Sequence, residues 1–169
     1  MIAPLNLSLS EKKPDSVIFV DDLIGSGNQA IKYLLMAFEQ HKWLEDKRVY
    51  YCALFGYEQG IQEIRDQLGS KLQEVYVNKK LSEIDKAFSS QNPMWENDRD
   101  RANAEQWAAK IGFDVLSEGY DREHHKLGWN NSQALIAFSN NVPNNTLPLF
   151  WGTGMRNGKL WKPLLDRHE

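Results

Sequence analysis

The chain is short of cysteine, of charge of one sign and of long apolar runs, and each shortage removes a class of protein. A single cysteine, Cys52, forms no intramolecular disulfide; inside a β-rich run it reads as a small buried apolar residue, in keeping with a reducing cytoplasm. A formal net charge of −3 supplies no general attraction to nucleic acid or to an anionic membrane. No apolar run is long enough to span a bilayer, and the N-terminus lacks the basic-then-apolar layout of a signal peptide. What remains, 169 residues that are 41% apolar and 25% charged, is the composition of a globular protein of one domain, residues 16–169 after an irregular lead-in over 1–15.

The most informative stretch is Ser16 to Ala30, an apolar run that ends in two carboxylates and a small-residue loop. Val17, Ile18, Phe19 and Val20 form a continuous apolar run, as in a strand covered on both faces. Asp21 and Asp22 then stand where that strand would leave the sheet, the edge at which ligands of open α/β sheets gather. Leu23, Ile24, Gly25, Ser26, Gly27, Asn28 and Gln29 make a loop with two glycines and a serine, and an apolar helical pattern follows at once. Free backbone N–H groups and a helix N-terminus thus face one spot, which favours an anion, most simply a phosphate. Adjacent carboxylates accept hydrogen bonds from vicinal hydroxyls, so acids and loop together describe a ribose 5-phosphate. An ordinary strand-to-helix turn with Asp as helix cap is the plainer alternative.

This stretch resembles the PRPP-binding motif of type I phosphoribosyltransferases, in which four apolar residues precede two acids and a Gly/Thr/Ser-rich phosphate loop. The resemblance implies that Asp21 and Asp22 bind the ribose hydroxyls and that Ile24 to Gln29 bind the 5-phosphate. Asn28 stands where a second glycine is common and Gln29 where a threonine is usual; both still donate hydrogen bonds.

Along the chain, Ser16–Val20 reads as a strand, Ser26–Glu45 as a long helix with Ile31, Leu34, Leu35 and Phe38 on one face, and Val49–Phe55 as a strand. A helix over Tyr57–Leu68 closes at Gly69, and Leu72–Val77 is a third strand. The order β-α-β-α-β implies an α/β fold with a parallel sheet and right-handed crossovers. Next come a short helix near Leu81–Ser89 and a loop, then a helix over Trp95–Ile111 that ends at Gly112, with Ala102, Trp107, Ala108 and Ile111 available for packing. Leu116–Ser132 reads as a loop. Its adjacent His124 and His125 lack the further spaced ligands of a zinc site, so no metal is assigned. Ala134–Phe138 reads as a fourth strand and Leu149–Trp151 as a fifth.

The tail is rich in Asn, Pro and Trp. Together with Asp21–Gln29 and Gly128-Trp129-Asn130-Asn131-Ser132-Gln133-Ala134, it resembles the phosphoribosyltransferase-like family of bacterial conflict and phage-defence gene clusters over Ser16 to Arg167. The resemblance implies a parallel-sheet, Rossmann-like three-layer core. Asn144, Asn145, Trp151 and Arg167 are then available for contacts to a base or an anion, with core packing as the alternative for the tryptophans. Type I enzymes carry their motif near mid-chain, after a pyrophosphate loop, a mobile catalytic loop and a hood; here it begins sixteen residues in. The N-terminal part thus reads as lacking, and the chain as a C-terminal portion, as one half completed by a second polypeptide, or as a binder without turnover. Two functions follow: a pentosyltransferase acting on PRPP with Mg²⁺, which the resemblance alone implies, or a non-catalytic nucleotide-sensing or regulatory module.

Overall fold

The computed structural model describes residues 14–139 and 141–167, so the lead-in expected over 1–15 lies outside them except at Pro14 and Asp15. The chain divides into two compact units, the first ending at Leu81 and the second beginning at Ser82.

In the first unit, β1 (Ser16–Ile24), β2 (Arg48–Tyr57) and β3 (Glu74–Leu81) form a parallel sheet in the order β1-β2-β3. Helices α1 (Asn28–Gln40) and α2 (Glu58–Leu68) make the crossovers. Ala30, Ile31, Leu34, Ala37 and Phe38 of α1, with Ile61, Ile64 and Leu68 of α2, pack on Phe19, Val49, Tyr51, Ala53 and Val75 in one core. These strand residues alternate with outward ones, as period two requires. The opposite sheet face carries Ile18, Val20, Leu54 and Tyr76, which are 60%, 67%, 49% and 57% exposed. Cys52 is on that face too, opposite Val20 and Tyr76, and is half-buried rather than buried.

The expected β-α-β-α-β order is present, with moved boundaries. The first helix stops at Gln40 and gives way to a 3₁₀ turn over Lys42–Asp46. A continued α-helix would point Leu44 roughly a quarter turn from Leu34, whereas the tighter turn buries it completely. The third strand runs on to Leu81 because its residues up to Lys79, Lys80 and Leu81 still pair with Phe55, Gly56 and Tyr57.

The second unit is built around α3 (Asp98–Val115), whose N-cap Asn97 accepts from the Asp100 amide through its side chain. Ahead of it the expected short helix is only a 3₁₀ turn, Glu83–Asp85, closed by a Ser82–Asp85 capping box. Gly112 does not stop α3. It lies inside the helix because a Cβ there would collide with the Lys126 carbonyl. Trp107 is 59% exposed, with the Lys110 ammonium over its ring, and Trp95 packs instead, against Phe88. The presumed loop after α3 contains a one-turn helix, α4 (Arg122–His125), capped by Asp121.

Neither expected later strand forms. Ala134 and Phe138 make only single bridges, to Thr146 and Asn141, and the left-handed backbone of Gln133, φ 54°, interrupts extension just before them. Leu149–Trp151 begins as a 3₁₀ turn, Pro148–Phe150, with proline in the first turn, where its missing N–H costs nothing. The hairpin of this unit is elsewhere: β4 (Met155–Arg156) and β5 (Lys159–Leu160) flank Asn157-Gly158, both at positive φ, the dipeptide typical of a tight hairpin turn. Among the described residues no helix is long and apolar enough to cross a membrane.

Gly112 yields a direct test. Alanine would add about 1 kcal/mol of helix propensity but would force a methyl group into the Lys126 backbone, a strain of about 1–3 kcal/mol or more. Gly112→Ala is therefore expected to lower the melting temperature; a rise would refute the close approach of α3 to Lys126.

Candidate functional site

Asp21 and Asp22 do not stand at the strand exit as expected. Strand β1 continues for two residues beyond them, with Asp21 opposite Ala53, Leu23 opposite Phe55 and Ile24 opposite Gly56. Leu23 and Ile24 are both buried, and their burial holds the chain in the sheet past the acids. The turn proper is then Gly25-Ser26-Gly27, and α1 starts at Asn28. From Asp22 to Gly25 is three residues of extended chain, about 10 Å.

The two acids have different surroundings, because neighbouring residues of a strand face opposite ways. Asp21 falls on the helix-covered face. Its Oδ2 accepts a hydrogen bond of 2.5 Å from the Tyr51 hydroxyl, and its Oδ1 accepts from the Asp22 amide at 2.8 Å. Tyr51 is completely buried in the core. Burial and the adjacent carboxylate push its phenol well above the ordinary tyrosine range, so it is a permanent donor.

Asp22 is half-buried, and its carboxyl is raised above its ordinary value of 3.8, first by burial and then by the charge of Asp21 and a hydrogen bond with that side chain. The Leu23 amide acts the other way, favouring the carboxylate. The carboxyl groups thus still interact, and such a pair resists full double ionisation.

The loop is held from behind. Gly27, the N-cap of α1, is left-handed with φ 83° and offers no side-chain cap. The Ile31 amide closes the first helical bond onto the Gly27 carbonyl at 2.9 Å. The first turn of α1 contains no acidic residue, so the partial positive charge of its leading amides is not offset locally. Ser26 is half-buried, and Asn28 and Gln29 are exposed. Against the back of the loop lies Gly60, in the first turn of α2: a Cβ on Gly60 would collide with the Gly25 carbonyl, and one on Gly27 would come within 2.6 Å of the Gly60 carbonyl. The arrangement can accept hydrogen bonds from hydroxyls at Asp22 and offer donors to an anion at the start of α1.

The remaining candidates belong to the second unit. The Asn144 carbonyl accepts from the Trp129 amide, and that of the buried Asn145 accepts from the Ala134 amide and the Ser132 hydroxyl; in these bonds the backbone, not the amide side chain, is used. Trp151 is 7% exposed, packs with Leu116 and Val142 and donates its indole N–H to the Thr146 carbonyl at 2.8 Å. The Arg167 guanidinium lies 4.4 Å from the centre of its ring, so a base would stack on that face only if Arg167 left it. Trp161 donates its indole N–H to the Leu149 carbonyl.

The histidine pair has other uses. His124 Nδ1 lies 2.8 Å from Asp121 Oδ2, an interaction that lowers the Asp121 carboxyl below its ordinary range. The His125 ring stacks on Trp129 at 4.0 Å, and its Nδ1 accepts from the Asn130 amide. No group of three His, Cys, Asp or Glu among the described residues is placed to hold a metal ion.

Two residues of the site had escaped sequence reasoning. Tyr51 was legible only as a buried position of a β-rich run; nothing local ties it to an acid thirty residues earlier. Gly60 had a usable signal, since a glycine in the opening turn of an amphipathic helix suggests close backbone approach.

Compared with known families, residues 3–167 match the family model PRTase-CE. No curated protein matches the chain.

Proposed function

The chain belongs to the PRTase-CE family, a phosphoribosyltransferase-like family, and from that footing we propose that its first unit binds the ribose 5-phosphate part of PRPP or of a nucleotide. Asp22, with Asp21 behind it, takes the ribose hydroxyls, and the segment Gly25–Gln29 takes the 5-phosphate. The observation that carries this reading is the uncapped, acid-free start of α1 on a left-handed Gly27, placed one short strand segment beyond a carboxyl pair. A phosphate at that position gains from both the amides and the helix dipole.

Turnover as a pentosyltransferase requires pyrophosphate to leave the anomeric carbon. Mg²⁺ binds through few protein carboxylates and mostly through substrate phosphates, so it would enter on the pyrophosphate of PRPP as part of the substrate. Within this reading the chain's own residues orient the ribose and fix its phosphate. A place in bacterial conflict or phage defence, in the cytoplasm, belongs to the same proposal.

The second reading is a nucleotide or sugar-phosphate sensor without chemistry. It is favoured by the internal engagement of Asp21 with Tyr51, which leaves one acid less committed than the other. A second polypeptide completing the domain would find an apolar face at Ile18, Val20, Leu54 and Tyr76.

Titration calorimetry with inorganic phosphate, ribose 5-phosphate, nucleoside monophosphates and PRPP tests the shared premise. Ribose 5-phosphate is expected to bind more tightly than phosphate alone, and Ser26→Ala to weaken both by about tenfold or more, the worth of one hydrogen bond to a charged group. Pyrophosphate release from PRPP with a base panel separates transferase from sensor. If none of these compounds binds, the reading falls and a ligand-free α/β interaction module replaces it.

A further inference from the structure

We propose that Tyr51 is a positioning residue of this site: its buried hydroxyl pins the Asp21 carboxylate, dividing the acid pair into an internally bonded Asp21 and a ligand-facing Asp22. This inference rests on the ribose-phosphate reading and adds to it a residue from the neighbouring strand.

The geometry is specific. Tyr51 lies on β2, one register step from Asp21, whose direct partner is Ala53. Residues two apart on one strand share a face, so the ring of Tyr51 runs along the helix-covered face toward Asp21. The ring is wholly buried, and its hydroxyl ends on Asp21 Oδ2 at 2.5 Å. A buried phenol must place its O–H on an acceptor, and an ionised carboxylate is a stronger acceptor than a carbonyl. Asp21 Oδ1 is meanwhile taken by the Asp22 amide. Both oxygens of Asp21 therefore have a protein donor, which fixes its rotamer.

The consequence falls on Asp22. With Asp21 held in place by its two donors, its carboxylate bears on Asp22, whose carboxyl is raised by burial and then by that neighbour. A ribose hydroxyl would accept this arrangement only after Asp22 has released its proton and turned into an acceptor. Among the described residues, the titratable group acting on Asp22 is Asp21, and those acting on Tyr51 are Asp21 and Asp22. Without the phenol, Asp21 loses the side-chain donor that holds it away from its neighbour, its charge bears more fully on Asp22, and Asp22 ionises at higher pH.

The test compares the intact chain with Tyr51→Phe, Asp21→Asn and the double variant, using calorimetry with ribose 5-phosphate and with inorganic phosphate across pH 4–9. Phenylalanine keeps the ring, so the core is retained; melting curves confirm it. Tyr51→Phe is expected to weaken ribose 5-phosphate about tenfold, and phosphate less, and to move the pH midpoint of ribose 5-phosphate binding upward. In the Asp21→Asn background the same substitution is expected to add little, because Tyr51 acts through Asp21. A folded Tyr51→Phe protein with unchanged affinity and midpoint overturns the inference while leaving the ribose-phosphate reading intact. Equal losses for both ligands with an unmoved midpoint also overturn it, since that is the mark of a structural residue. If the unmodified chain binds phosphate but gains nothing from the ribose, the reading itself fails and the inference with it.

Discussion

Gly60→Ala is expected to lower stability by about 3 kcal/mol or more and to abolish phosphate binding at the start of α1. Alanine is the better helix former by about 1 kcal/mol, so local propensity predicts the opposite sign. Packing decides, because the added methyl group would meet the Gly25 carbonyl and come within 3.0 Å of the Gly27 nitrogen. Both obstacles are backbone, which has no rotamer to yield. Relief requires moving either the first turn of α2 or the loop itself, and overpacking against rigid neighbours is among the few mechanisms that reach several kcal/mol. For a chain of this size the loss corresponds to roughly 6–12 °C in melting temperature. Gly119→Ala is the matched control: a Cβ there has nothing within 4 Å, and its melting temperature and phosphate affinity are expected to stay at the unmodified values. An alanine at position 60 that melts and binds like the parent would mean that the loop does not rest on α2.

Asp22→Asn is expected to separate stability from binding. In the folded chain the Asp22 carboxyl prefers its proton more than it does in the unfolded chain, where its ordinary value is 3.8. Such a group contributes stability below its unfolded value and loses it as pH rises through the higher folded value. At neutral pH the ionised Asp22 is therefore a net cost, and an uncharged amide of the same shape removes it. The variant should melt above the parent at pH 7, and the difference should shrink as pH falls through the raised folded value toward 3.8 and stay level below it. Binding should move the other way: an amide offers one acceptor and no charge, and ribose 5-phosphate should weaken roughly ten- to hundredfold, the range for hydrogen bonds to a charged group. In the parent, affinity should fall on acidification at a pH above that of an ordinary aspartate. A variant that is both less stable and equally competent for ribose 5-phosphate would remove Asp22 from the site. The pairing of gained stability with lost binding is the behaviour of groups kept for function at a cost to the fold.

How much of this was legible beforehand differs from element to element. The helices of the first unit were readable because Ile31, Leu34 and Phe38 recur at helical spacing and Gly69 follows the last apolar position of α2. The later strands fail to form for an equally local reason: Ala134–Phe138 and Leu149–Trp151 are apolar enough for strands, but an apolar run does not say whether a neighbouring strand exists to pair with it. Isolated bridges from Ala134 to Thr146 and from Phe138 to Asn141 are all the strand pairing that the first of these segments finds. Glycine commonly ends helices, so Gly112 reads as a stop; its actual use, admitting the Lys126 backbone, depends on a segment fourteen residues away.

By itself the amino-acid order determined that an apolar strand, two acids and a Gly-Ser-Gly turn lead into an amphipathic helix, because those features depend on spacing and on residues within a few positions of one another. It also carried the family relationship, which runs along nearly the whole chain. Only the tertiary structure decided that β1 outlasts its acids, that Asp21 is engaged by a phenol from the next strand while Asp22 is not, and that Gly60 backs the loop. Those outcomes are set by which side chains meet after parallel pairing brings β1 beside β2, and a contact across thirty residues leaves no periodicity in the sequence to be read.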